Sequence, residues 1–180
     1  SAKTWGFRDV LYNGREFILP RPFETHVVEN IQFKIAYPAQ RHTQTAAECA
    51  VRLHPQVRER LAAIDKVVLS THSKACEMVA ATGPLPTPAA RDHSLQYVVS
   101  IGLIFGTITT ESYEDTVAAD PRVDALRSKM VVEEEPRYTE GYYDLSRRSN
   151  ANGIKVFFKG GSSIPKVEVE YLLGDVRRRR

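Results

Sequence analysis

At 180 residues the chain is about one domain long and can bury roughly two-thirds of the surface that its unfolded form exposes. Hydrophobic residues at 42% and charged residues at 26% exclude a disordered, collagen-like or coiled-coil chain, and the stretch 94–110, broken by Gln96, Ser100 and Gly102, falls short of the ~20 apolar residues of a bilayer crossing. The net charge of +3 resides in Arg177, Arg178, Arg179 and Arg180, without which it would be −1, so no domain-wide basic field points to nucleic acid.

Along the chain, Ile31, Phe33 and Ile35 alternate with Gln32, Lys34 and Ala36, which predicts a half-buried strand over 27–37 ended by Pro38. The alanine-rich run 43–53 predicts a helix that His54-Pro55 closes or turns. A strand is expected at 66–71 and a short helix at 73–81, followed by a proline-punctuated loop at 82–88. From 89 to 105 the apolar residues cover much of a helical circumference, which predicts one long, deeply packed helix. Thr110 opens an imperfect capping box with Tyr113, and 112–118 suits a helical turn. Asp120-Pro121 places a cap and a first-turn proline before a helix to about Lys129. Strands follow at 130–134, 153–159 and 166–171, the last two joined through Gly160-Gly161. Helices and strands mixed without a regular βαβ repeat point to an α+β domain, a sheet packed against helices, over 1–180.

The chemistry is narrowed first by what is missing. Cys49 and Cys76 stand 27 positions apart without a CxxC, so they build neither a disulfide framework nor a cysteine-ligated metal and are expected as small buried hydrophobes. The five histidines show no HxxxH or HxH spacing, and no GxSxG, Walker A or GxGxxG motif is present. Two polar constellations remain. In the first, Arg41, His42, Thr43 and Gln44 gather donors at a predicted helix start, where a carboxylate would be welcome; an N-cap beside a solvated arginine and histidine is the other reading. In the second, His93, Gln96 and Tyr97 fall on one face of the predicted long helix, where an imidazole and a phenol can exchange protons. The other reading has Tyr97 hydrogen-bonded at the core rim and His93 capping a carbonyl. His26, His54 and His72 are given structural or surface roles, and Glu133-Glu134-Glu135 and the terminal arginines are read as solvated runs.

The segments WGFRDVLYNG, ENIQFKIAYPAQRHTQTAAECAVRLHPQVRERL, RDHSLQYVVSIGLIFG, YEDTVAADPRVDALRSKM and KVEVEYLLGDVRRRR resemble, in this order, the MmgE/PrpD family, on its dehydratase branch more than among its decarboxylases. The resemblance implies a two-part protein, a large all-helical domain with a smaller inserted α+β lid, of which this chain is the lid without the helical domain. It implies removal of water from 2-methylcitrate to give 2-methyl-cis-aconitate in propionate breakdown, without cofactor or metal. Lysine and histidine near the PA motif and the tyrosine of an HSxQY motif line the site in the decarboxylase relatives. By position this supports Lys34 and Tyr97. Here Pro38-Ala39 is followed by Gln40-Arg41-His42, a different spacing, and His42 is the best histidine candidate. The expected catalytic set is then His42, Tyr97 and His93, with Lys34, Arg41 and Gln44 binding a tricarboxylate. A homodimer is expected of the full-length enzyme, in bacterial cytoplasm or the mitochondrial matrix, with neither nucleic acid nor membrane as partner. The start carries no basic-then-apolar leader and reads as a cut; the resemblance places the other catalytic groups on the helical domain, so the fragment is expected to be inactive alone. Competing readings are a non-catalytic oligomerisation, interaction or antigenic fragment, and a related tricarboxylate decarboxylase or isomerase.

Overall fold

A computed structural model describes residues 4–19, 22 and 35–178. The chain divides into two units, Ser1–Ile31 and Gln32–Arg180. In the first, helix α1 (Phe7–Tyr12) ends at Asn13 in the left-handed conformation, φ 51°, which asparagine tolerates. Phe7, Tyr12 and Phe17 cluster in tilted and edge-to-face pairs, with centroids 5.3–6.2 Å apart. The expected strand at 27–37 lies outside the described residues as far as position 34, and 35–37 are irregular.

The second unit is α+β. After a 3-10 turn at Arg41–Thr43 come α2 (Gln44–Val57), a 3-10 stretch (Arg58–Ala63), β1 (Ile64–Thr71), α3 (Ser73–Val79), α4 (Pro88–Asp92) and α5 (Leu95–Phe105). A 3-10 turn (Thr110–Tyr113), α6 (Asp115–Ala118), α7 (Pro121–Arg127), β2 (Met130–Glu134), α8 (Pro136–Tyr143), β3 (Asn152–Phe158), β4 (Ser163–Val169) and a 3-10 turn (Val176–Arg178) complete it. The sheet order is β2-β1-β3-β4, with β1 parallel to β2 and the other pairs antiparallel. The β3–β4 hairpin turns on Gly160 and Gly161 at φ 91° and 89°, a pair of positive angles that side-chain-bearing residues resist.

Helix α2 packs on β3 and β4 and against α5, which α7 covers in turn. Small residues set the distance between α2 and α5: a Cβ built on Gly102 would lie 2.6 Å from Ala50 Cβ. Leu53, Val57, Val98, Ile101 and Leu103 are sealed in this layer, each worth about 1.5–3 kcal/mol of burial.

Three local expectations need correction. Pro55 lies inside α2, which continues to Val57; the ring removes a single backbone donor near the helix end, and buried Leu53 and Val57 hold the last turn. The long helix expected over 89–105 is two helices. Thr87 and Pro88 start α4, whereas Ser94, in extended backbone, caps α5 by accepting from the Tyr97 N–H at 3.3 Å. The capping box belongs to Thr109 and Ser112, one residue before the expected pair.

Within the charge runs Glu133, Glu134 and Arg177 are exposed as expected, whereas Glu135 and Arg178 are half-buried. Arg178 holds the buried Glu48 carboxylate at 2.7 and 3.1 Å and donates to the Tyr171 carbonyl, and Arg52 reaches the same carboxylate. Glu133 accepts from Ser70, Glu134 from Thr139 and Glu135 from Lys166. Among the described residues no helix is long and apolar enough to cross a membrane.

Candidate active site

The first constellation is built by a tight corner ahead of α2. Gln40 caps the 3-10 turn, its Oε1 accepting from the His42 N–H at 2.5 Å, while Thr43 Oγ1 donates back to the Gln40 carbonyl at 2.9 Å. Gln44 Nε2 donates to the Tyr37 and Ala39 carbonyls at 2.8 and 2.5 Å, pinning the Pro38 corner onto the helix start. Both amide hydrogens of Gln44 are engaged in the fold, and the side chain is buried. Arg41 is half-buried beside it.

The lead into β3 is fastened to this corner. Thr45 Oγ1 donates to the Asn150 carbonyl at 2.6 Å, and Asn152 Nδ2 donates to the His42 carbonyl and to Thr45 Oγ1. Asn150 Nδ2 donates to the Arg41 carbonyl at 2.8 Å, which turns its Oδ1 toward two imidazoles. His42 Nδ1 and His72 Nε2 each lie 3.2 Å from that oxygen. The two rings meet edge to face at 5.0 Å, and Tyr142 of α8 lies flat on His72 at 4.1 Å. His72 also caps α3: its Nδ1 accepts from the Ala75 N–H at 3.2 Å.

Both imidazoles are buried, His72 completely. Burial, with the His42 ring and Arg41 adding to it, brings His72 down to about 4; burial also lowers His42, with Arg41 and Lys74 pushing the same way. At neutral pH both rings are uncharged. His42 Nε2 makes no hydrogen bond among the described residues and is not one of the polar atoms sealed from solvent without a partner. Chemically this is a neutral imidazole with one nitrogen tied down and the other open.

The second constellation is split by the helix break. His93 closes α4, its side chain 56% exposed, with Nδ1 at 3.0 Å from the Ala89 carbonyl and 3.4 Å from Asp92. Tyr97 lies past the break on α5, 2% exposed, its phenol donating to the Ser112 carbonyl at 2.7 Å. Burial raises its pKa, so it keeps its proton. The shared helix face expected for His93, Gln96 and Tyr97 therefore does not form, because Ser94 interrupts the helix between them. Gln96 and Tyr97 instead line a cavity of about 750 Å³ together with Arg91 and Arg127. Arg91 is committed within it to the Leu85 and Tyr113 carbonyls and to Asp115, whereas the buried Gln96 Oε1 has no partner among the described residues.

The structure thus joins Arg41, His42 and Gln44 in one corner and places His93 and Tyr97 on different helices, with neither hydrogen-bonded to that corner among the described residues; Lys34 lies outside the described residues. His72, Asn150 and Tyr142 were missed as site residues. Position 150 is 108 residues from His42, and no spacing rule spans that distance. The one local signal is a polar run ahead of a strand: Ser149, Asn150 and Asn152 are all buried, which a plain loop would not require. Among the described residues no three His, Cys, Asp or Glu side chains gather as a metal site. Cys49 is buried with its thiol pushed up to about 12, and Cys76 is half-buried, also raised by burial.

Residues 37–180 match the model of the MmgE/PrpD C-terminal domain. The chain is similar to the 2-methylcitrate dehydratase of Salmonella typhimurium, 45% identical over 182 residues that cover 99% of this chain and 38% of that protein. Its similarity to the Escherichia coli protein of that name is 43% over 183 residues, 100% of this chain and 38% of the other. For the mitochondrial 2-methylcitrate dehydratase of Yarrowia lipolytica the figures are 41% over 182 residues, 99% and 35%. The chain spans 35–38% of the length of these curated relatives. With a family model covering the whole corner, the cavity and the sheet, the chain belongs to the MmgE/PrpD family.

Proposed function

We propose that this chain supplies the C-terminal lid of a 2-methylcitrate dehydratase and brings His42 to the reaction as a proton acceptor. Dehydration breaks a C–H bond beside a carboxylate and the C–OH bond on the neighbouring carbon, and forms a C=C bond between them. A base takes the carbon-bound proton, and an acid protonates the departing hydroxyl so that it leaves as water. Cationic donors must hold the three carboxylates. The observation that carries the reading is His42: an imidazole kept neutral by burial, tied at Nδ1 to Asn150 and without a hydrogen bond at Nε2 among the described residues. The names of the relatives supply the substrate class.

In this reading Arg41 and Lys34 hold carboxylates, and Gln44 acts by shaping the corner through its two carbonyl bonds. Tyr97, with its proton retained by burial and given to the Ser112 carbonyl, shapes the site through that bond. His93, exposed beyond the helix break, is left out of the reacting set. The remaining groups belong to a helical domain outside this chain, in a homodimeric enzyme of bacterial cytoplasm or the mitochondrial matrix.

The test uses the complete enzyme carrying this sequence, and this chain alone. His42→Ala is expected to lower kcat/KM for 2-methylcitrate by about 10²–10⁴-fold in an enzyme that still folds, and this chain alone is expected to show no turnover. Full activity in His42→Ala removes the base assignment, and turnover by the chain alone at the rate of the whole enzyme removes the lid assignment.

A further inference from the structure

The hydrogen bonds around Asn150 determine more than position. The Ala75 N–H is shared between the His72 carbonyl at 3.0 Å and His72 Nδ1 at 3.2 Å; a hydrogen on Nδ1 would face that N–H, so in the neutral ring the hydrogen sits on Nε2, 3.2 Å from Asn150 Oδ1. The Asn150 amide is oriented independently, because its Nδ2 donates to the Arg41 carbonyl at 2.8 Å; the reverse orientation would set oxygen against oxygen. Oδ1 can therefore only accept, and His42 Nδ1, 3.2 Å from it, must carry a hydrogen. A neutral imidazole has one N–H, so the lone pair of His42 is left on Nε2, the nitrogen without a bond among the described residues.

We propose that Asn150 and His72 are positioning residues that hold His42 as its Nδ1–H tautomer and thereby present Nε2 as the proton acceptor. The proposal rests on the reading of His42 as the base. An imidazole free to choose its tautomer would offer the open nitrogen as a donor for part of the time and could not then accept the substrate proton. Tyr142 lies flat on His72 at 4.1 Å, which covers one face of that ring, and approaches His42 at 5.7 Å. The charged and titratable groups around the pair are Arg41 and Lys74; Tyr142 supplies a phenol ring. Among the described residues no acidic side chain acts on either imidazole, so the amide oxygen, neutral and acceptor-only, fixes the tautomer without stabilising imidazolium as a carboxylate would.

The tautomers are read directly by two-dimensional 15N–1H NMR of imidazole-labelled protein, on this 180-residue chain at pH 7.5. The expected pattern is Nδ1–H for His42 and Nε2–H for His72; Nε2–H at His42 overturns the proposal without any variant. In the complete enzyme, Asn150→Asp places a negative charge against both rings and is expected to move the acidic limb of the kcat/KM–pH profile upward by about one unit. A lowered kcat/KM with the limb unmoved makes Asn150 merely structural and overturns the proposal. The expected tautomers together with full activity in His42→Ala overturn the base reading while the hydrogen-bond assignment stands. Reversed tautomers with His42→Ala inactive overturn the positioning role alone.

Discussion

Tyr97 shows how a single side chain can serve the core before it serves chemistry. Its ring stacks at 6.1 Å on Tyr113, and its hydroxyl satisfies the Ser112 carbonyl inside the 3-10 turn that follows α5. Removing that hydroxyl leaves a buried acceptor without its donor. Tyr97→Phe is therefore expected to cost about 1–2 kcal/mol, read as a lower urea midpoint at unchanged m. An unaltered midpoint would show that the phenol is not holding the turn. The sequence placed Tyr97 and His93 at the right polar boundary but on one helix face, because periodicity carries no mark of the break at Ser94. Gln44 was legible as a polar residue at a helix start; that both its amide hydrogens serve backbone carbonyls was not, since those carbonyls lie in the Pro38 corner, five and seven residues upstream.

Among the elements, α2 and α5 approach one another closely. A methyl group on Gly102 would meet Ala50 Cβ at 2.6 Å, with the backbone of Val51 and Ala47 next in line at 3.5 and 3.6 Å. Neither neighbour is a flexible side chain. Gly102→Ala should gain up to about 1 kcal/mol of helix propensity and lose about 1–3 kcal/mol to overpacking, a net loss visible in chemical unfolding. Added stability would mean that the two helices part freely. The strands were the most legible elements because alternation is a local property: β2 falls at the expected 130–134, and β1, β3 and β4 lie within a few residues of their expected spans. Helix α8 went unread, since Pro136–Tyr143 offers only two buried residues, Tyr138 and Gly141, to mark its inner face. The strand order was not readable at all. Pairing β1 with both β2 and β3 depends on contacts more than 60 residues apart, and so does the meeting of His42 with Asn150.

For the molecule as a whole, the buried imidazole pair couples folding to pH. His72 has its pKa lowered from 6.5 to about 4 by burial, so the folded state binds fewer protons than the unfolded state between those values. The stabilisation is complete above pH 6.5 and falls away as the pH drops toward 4. A loss of about 2–3 kcal/mol is expected over that window, as a falling urea midpoint from pH 7.5 to 4.5. His72→Asn keeps an oxygen acceptor at the cap of α3 and removes the titrating ring, so its midpoint should fall less over the same range; an equal fall would assign the acid sensitivity to other groups. The ties made by Asn150 and Asn152 to residues 41–45 span more than 100 positions of sequence. A nascent chain still short of β3 at the ribosome thus holds His42 without the asparagine that tethers its ring, and the corner closes only when Asn150 and Asn152 have emerged.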